Sequence, residues 1–180
     1  MQFIPTAFAD AWLIQPKVWA DGRGFFFESY SQRHFTDAGI DITFVQDNQS
    51  KSCRGTLRGL HYQKAPHAQD KLVRVLAGEV VDVIVDLRSN SPTYRQWQSY
   101  RLSAENHLML LVPKGFAHGF CVTSDTAEVL YKCSDFYAPD SEHGLCWNDP
   151  ELGIDWPIHE PLLSPRDRCH PCLRDLPVHF

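Results

Sequence analysis

No apolar stretch of this sequence approaches the roughly 18 residues that a membrane-spanning helix requires. The opening Met1-Gln2-Phe3-Ile4-Pro5 has no basic leader and no long apolar segment, so no secretory signal is expected and the expected location is the cytoplasm. No GxGxxG fingerprint follows a strand pattern, which removes the usual signal of a dinucleotide cofactor. Positive charge is in the minority. With 17 Lys and Arg against 22 Asp and Glu, the formal net charge is −5, which argues against general binding to nucleic acid or to an anionic membrane. A small anionic ligand stays open, because local arginines can still cluster. Cys169-His170-Pro171-Cys172 is a lone CxxC with no second pair to complete a four-ligand zinc site, and without a leader the six cysteines are expected to be reduced thiols. Internal repeats, low-complexity tracts and linkers are missing too, so residues 1–180 are expected to form one domain.

Long amphipathic helix patterns are equally scarce. The best is short, Ser31 to Ala38, with Ser31 as a candidate cap and Gly39 as its stop. What is abundant is strand and turn. Five Trp, six Tyr and eleven Phe suit a β fold with a lined pocket, and twelve Pro and ten Gly supply turns. Lys71–Leu76 and Val80–Leu87 are β-branched runs around Ala77-Gly78-Glu79 and read as a hairpin. In the second run Val81, Val83, Val85 and Leu87 share one face, and Asp82, Asp86 and Arg88 the other. Tyr94–Leu102 and His107–Val112 are further strands, the latter stopping at Pro113-Lys114-Gly115. Phe116–Thr123 and Ala127–Cys133 read as a second hairpin through Ser124-Asp125-Thr126. Many short strands at close spacing predict an all-β sandwich or barrel, with the proline-rich and charged tail after about residue 156 wrapped outside.

Five segments carry candidate chemistry. In the run from Gly55 to Lys71, alternation puts Gly59, His61 and Gln63 on one face and Arg58, Leu60 and Tyr62 on the other. Gly59 would let a ligand approach the backbone where His61 projects. His61 reads either as a general base or as a hydrogen-bonded structural histidine. His118, in PKGFAHGF, reads as a pocket residue or as the late histidine of a metal-binding barrel, although His61-Tyr62-Gln63 stands where such barrels carry His-x-His. Tyr131 shares a face with Val129 and Cys133 and reads as a core residue or a proton donor. Arg23, in DGRGFFFE, reads as an anion clamp or an ordinary turn residue, with an aromatic left over for a pocket or an interface. The Arg166-Asp167 pair reads as a solvated loop or a site element.

Taken in order, DGRGFFFES, FVQDNQSKS, TLRGLHYQ, KLVRVLAGEVVDVIVDLR, SPTYRQW, LSAEN, VPKGFAHGF, LYKC, GLCWNDP with IDWP, and LSPRD resemble the dTDP-4-dehydrorhamnose 3,5-epimerase family, from about Phe8 to Asp167. The resemblance implies an all-β, cupin-type jelly roll with a few short peripheral helices. It implies a homodimer that works without metal or organic cofactor on a dTDP-linked 4-keto-6-deoxy sugar. It also implies roles: His61 as base, Asp167 orienting it, Lys71 beside the carbonyl and Tyr131 as proton donor from the other side of the ring. Substrate contacts would fall to Arg23, Phe26, Glu28, Gln46, Asn48, Arg58, Lys71, His118, Glu142 and Arg166, with Arg23 and Glu28 acting across the dimer interface. The chemistry suits these types. One ketone acidifies both neighbouring C–H bonds, so an imidazole, a cation at the enolate oxygen and a phenol with an ordinary pKa near ~10 form a complete set. Arg166 replaces the usual lysine, Leu130-Tyr131-Lys132 replaces VYK, and CHPCLRDLPVHF has no counterpart in the family pattern. The alternatives are a single-site epimerase on a related sugar, a metal-dependent cupin, and a non-catalytic sugar-nucleotide binding module.

Overall fold

A computed structural model describes all 180 residues. Its strands are β1 (Gln2–Pro5), β2 (Trp12–Gln15), β3 (Trp19–Asp21), β4 (Gly24–Phe26), β5 (Gln46–Cys53), β6 (Leu57–Gln63), β7 (Lys71–Ala77), β8 (Glu79–Asp86), β9 (Trp97–Ser103), β10 (Met109–Val112), β11 (Phe116–Val122), β12 (Thr126–Cys133) and β13 (Glu142–Gly144). One helix, α1 (Gln32–Asp37), and two short 3-10 turns complete the list. Six strands form one antiparallel sheet in the order β1-β2-β10-β7-β12-β5, and five form a second in the order β13-β6-β11-β8-β9. β3 and β4 stand apart as a two-stranded hairpin.

The two sheets face each other over one apolar core. Val73, Val75, Leu110, Val112 and Val129 from the first sheet meet Val80, Ile84, Leu102, Phe116 and Val122 from the second. This is a jelly roll. Each sheet is also covered outside. Phe35 and Ile40 pack on Ile14, Leu72, Met109 and Leu111 behind the six-stranded sheet. Leu145, Leu152, Trp156 and Leu173 pack on Leu57, Leu60, Val83 and Val85 behind the five-stranded one. Burial on both faces explains why β8 and β11 carry apolar side chains on both sides of the strand.

The alternation in β8 is as read, but its acidic side is the interior one. Val80, Asp82, Ile84 and Asp86 point between the sheets, while Val83, Val85 and Leu87 face the tail. Both expected hairpins are corners. β7 pairs with β10 and β12, and β8 pairs with β9 and β11, so Ala77-Gly78-Glu79 carries the chain from one sheet to the other. Ser124-Asp125 does the same between β11 and β12. The corners support each other, with Ser124 Oγ accepting from the Glu79 N–H at 2.8 Å. A turn signal marks a reversal, and the partner is chosen by the rest of the sheet, which local sequence does not contain. Boundaries shift modestly elsewhere: α1 ends at Asp37 before Gly39 (φ 79°), and Ser31 makes no side-chain cap bond.

β6 and β11 are pressed together at two glycines. A Cβ on Gly59 would lie 2.6 Å from Gly119 Cα, and one on Gly119 would lie 2.7 Å from the Arg58 carbonyl oxygen. The space at Gly59 therefore admits the neighbouring strand, not a ligand. The pairing register shifts between His118 and Phe120, so the simple alternation along β6 is reset. Arg58, expected opposite His61, lines the same cavity as His61. Gly119→Ala is expected to push the strands apart, lower stability by about 2 kcal/mol and depress activity, measured by urea unfolding and turnover.

Candidate active site

At one end of the roll the core gives way to polar side chains, and a cleft opens between the sheets. It has two lobes, of 270 and 280 Å³, joined by His61, Lys71, Tyr131 and Glu142, which line both. Gln46 and Asn48 from β5 border the first lobe, with Gln63, Gln69 and Tyr137. Arg58, His118, Arg166 and Asp167 border the second. His61 stands on β6 in the five-stranded sheet, and Tyr131 on β12 in the facing sheet. Lys71 opens β7, the neighbour of β12, with its ammonium 6.0 Å from the centre of the Tyr131 ring.

His61 Nε2 donates to Asp167 Oδ1 at 2.6 Å, and Ser164 Oγ donates to Asp167 Oδ2 at 2.9 Å. The Asp167 N–H returns a bond to Ser164 Oγ at 3.1 Å, so the tail loop closes on itself while it holds the carboxylate. Burial pushes the Asp167 carboxyl up, but the bond and charge of His61 outweigh it and leave its pKa below the ordinary value. Asp167 is therefore ionised at neutral pH. A second pair lies across the strand. His118, the cross-strand partner of His61, sets Nε2 2.9 and 3.0 Å from the two oxygens of the fully buried Asp82.

Burial lowers the pKa of the Lys71 ammonium, and the nearby acidic groups, Asp82 and Glu142 with the Cys133 thiol, oppose that fall. Burial raises the Tyr131 phenol, and Cys133 and Glu142 add to the rise against Arg58. Tyr131 is thus held as a proton donor. Glu142 accepts from Arg166 Nη1 at 2.8 Å and from the Tyr137 hydroxyl, and these bonds overcome its burial and keep it ionised. Asn48 and Gln46 are linked at 3.1 Å, and Arg58 donates to Ser52 Oγ at 3.0 Å.

The structure thus gathers His61, Lys71, Tyr131, Asp167, Gln46, Asn48, Arg58, His118, Glu142 and Arg166 around one cavity. It does not bring Arg23, Phe26 and Glu28 there. Arg23 sits at the tip of the β3–β4 hairpin, 91% exposed and paired with Asp21 at 2.6 Å. Phe26 is 66% exposed, and Glu28 faces His34 at 3.4 Å. Sequence reasoning passed over Asp82, Ser164 and His170. An aspartate in a β-branched strand was the signal for Asp82, and Ser164 lay within the LSPRD motif. In the sequence His170 stands out only as part of a CxxC. Its two flanking thiols are free, and its imidazole joins His61 and Asp167 in the one cluster of potential metal-ligating atoms, a grouping that leaves out His118.

Comparison with known proteins places this arrangement. A family profile described as dTDP-4-dehydrorhamnose 3,5-epimerase matches residues 5–175. A Pseudomonas aeruginosa protein of that name is 58% identical over 93% of this chain and 93% of its own length. A Neisseria gonorrhoeae protein of that name is 54% identical over 93% of this chain, which spans about half (51%) of that longer relative. The crystal structure of a Legionella pneumophila dTDP-6-deoxy-D-glucose-3,5-epimerase in complex with dTDP-4-keto-L-rhamnose superposes with a TM-score of 0.94 at 47% identity, covering 98% of this chain and 94% of that one. From its cleft, its jelly roll and these matches, the chain belongs to the dTDP-4-dehydrorhamnose 3,5-epimerase family.

Proposed function

We propose that this enzyme inverts C3 and C5 of dTDP-4-keto-6-deoxy-D-glucose to give dTDP-4-keto-L-rhamnose, the epimerisation step of dTDP-L-rhamnose biosynthesis, and that His61 and Tyr131 do the proton work. The observation that carries the division of labour is their placement on facing sheets over one cavity that Lys71 also lines. With Nε2 committed to Asp167, Nδ1 of His61 is the nitrogen left to take the substrate proton. The ionised Asp167 fixes that tautomer and stabilises the imidazolium as it forms. Lys71 stabilises the developing charge on the C4 oxygen, a contribution of about 3 kcal/mol for one well-placed donor. Tyr131 returns a proton from the opposite side of the sugar ring, which is what turns exchange into inversion. Arg58 and Arg166 face the diphosphate. No net electron transfer occurs, so no organic cofactor or metal is assigned.

We place the enzyme in the cytoplasm as a homodimer. The hairpin that carries Arg23 and Phe26 is exposed and apolar, with Trp19, Phe25 and Phe26 all at its surface. It lies outside its own cavity, so Arg23, Phe26 and Glu28 serve the site of a second copy.

Deuterium from solvent is expected at both C3 and C5 of the sugar, read by NMR, and a label at only one carbon would make this a single-site epimerase. His61→Ala should reduce exchange at both positions by about 10³-fold or more, whereas Tyr131→Phe should retain exchange and lose inversion. Equal loss of exchange in the two variants would contradict these roles. Co-expression of His61→Ala with Arg23→Ala should restore about a quarter of wild-type activity through hybrid dimers holding one intact site, and no recovery would show that Arg23 serves its own protomer.

A further inference from the structure

The imidazole of His170 occupies an unusual place, directly behind the base. Its side chain is only 9% exposed, yet Nε2 has no hydrogen-bond partner. That nitrogen lies 3.5 Å from Asp167 Oδ1, the same oxygen that accepts from His61 at 2.6 Å. The two imidazole rings meet edge to face, with centroids 5.4 Å apart at 78°. The seat for His170 is shaped for a ring. It rests on the backbone of Gly144, where a Cβ would come within 2.2 Å of Cε1 and 2.4 Å of Nε2. Gly144 in turn is the strand partner of His61. The next residue locks the arrangement, since the Pro171 carbonyl accepts from the Cys146 N–H at 2.9 Å.

We propose that His170 is a positioning residue of the base, which keeps Asp167 shared between two imidazoles and so limits how strongly the carboxylate holds His61. The inference rests on the reading of His61 as the base. A carboxylate devoted wholly to His61 would favour its imidazolium, and a histidine that is already protonated cannot abstract a carbon-bound proton. The N–H edge of a second, neutral imidazole takes up part of the carboxylate's charge without neutralising it. Every charged neighbour of His170 bears on this balance. Burial first, then His61 and Arg166, disfavour its protonation, and Asp167 favours it, with a net pKa below the ordinary histidine value. His170 therefore stays neutral while His61 cycles, with its ring edge 3.5 Å from the shared carboxylate oxygen.

The test compares His170→Ala and His170→Gln with wild type in solvent-deuterium exchange into dTDP-4-keto-6-deoxyglucose across pH, with thermal melts alongside. In His170→Ala, the acid limb of kcat/KM should move to higher pH and kcat near neutrality should fall about tenfold with KM little changed, the scale on which loss of an outer partner of a histidine is felt. His170→Gln, which keeps an N–H donor, should recover much of that loss. An acid limb unmoved in both variants would overturn the inference, whether activity is intact or falls only in step with the melting temperature. His61→Ala run in parallel separates the two ideas: if it retains exchange, the assignment of the base fails, and if it is dead while both His170 variants match wild type, only the role of His170 fails.

Discussion

The hydrogen bond between His61 and Asp167 ties together two parts of the chain that are 106 residues apart. His61 belongs to a strand in the middle of the molecule, and Asp167 to a loop of the tail. The bond exists only because the tail crosses the outside of the five-stranded sheet and returns to the cleft. That crossing is secured by apolar packing of Leu145, Leu152, Trp156 and Leu173, and by the buried Asp149, which accepts from the Leu173 N–H at 2.6 Å. The outer layer of the fold and the cleft thus share one anchor. The orientation of His61 depends on hydrophobic contacts made well away from the cleft.

Much of this was legible in the sequence, for identifiable reasons. β8 is dense in β-branched residues and β11 is buried along its whole length, and burial on both faces makes such strands conspicuous. The motifs around His61, Lys71, His118, Tyr131 and Asp167 pointed to residues that the fold does collect in one cleft. Sheet membership was not legible. A glycine at a corner and a glycine in a hairpin look alike, and only non-local pairing separates them. β5 was hidden for another reason. Its inward side chains are polar: Gln46, Asn48 and Ser50 border the cleft and Ser52 accepts from Arg58, so the strand lacks apolar alternation. The face of Arg58 was misjudged because a register shift next to paired glycines cannot be inferred from counting by twos.

The cleft is built from charges that would be costly one by one. Asp82 is fully buried, and its two oxygens both face His118. Removing either member of such a pair leaves a buried polar group without its partner, a loss on the order of 1–3 kcal/mol. Lys71 lies among Asp82, Glu142 and the Cys133 thiol, so its cation is tolerated without being neutralised by direct contact. That leaves an ammonium facing the cleft without a direct counter-ion. The same logic holds for Asp167, whose oxygens are occupied by His61 and Ser164. The site is therefore organised before any sugar enters, and little solvent has to rearrange at the moment of proton transfer.

The outer cover formed by the tail has a temporal meaning. A ribosome delivers the strands of both sheets before the segment that follows Trp156, so the roll can gather its inner core while the imidazole of His61 still lacks its carboxylate. Docking of those final residues seals the back of the five-stranded sheet and supplies Asp167 in one event. A molecule without that segment would have both an unsealed sheet and a His61 that lacks its carboxylate, so one docking event couples the outer packing to the polar order of the cleft.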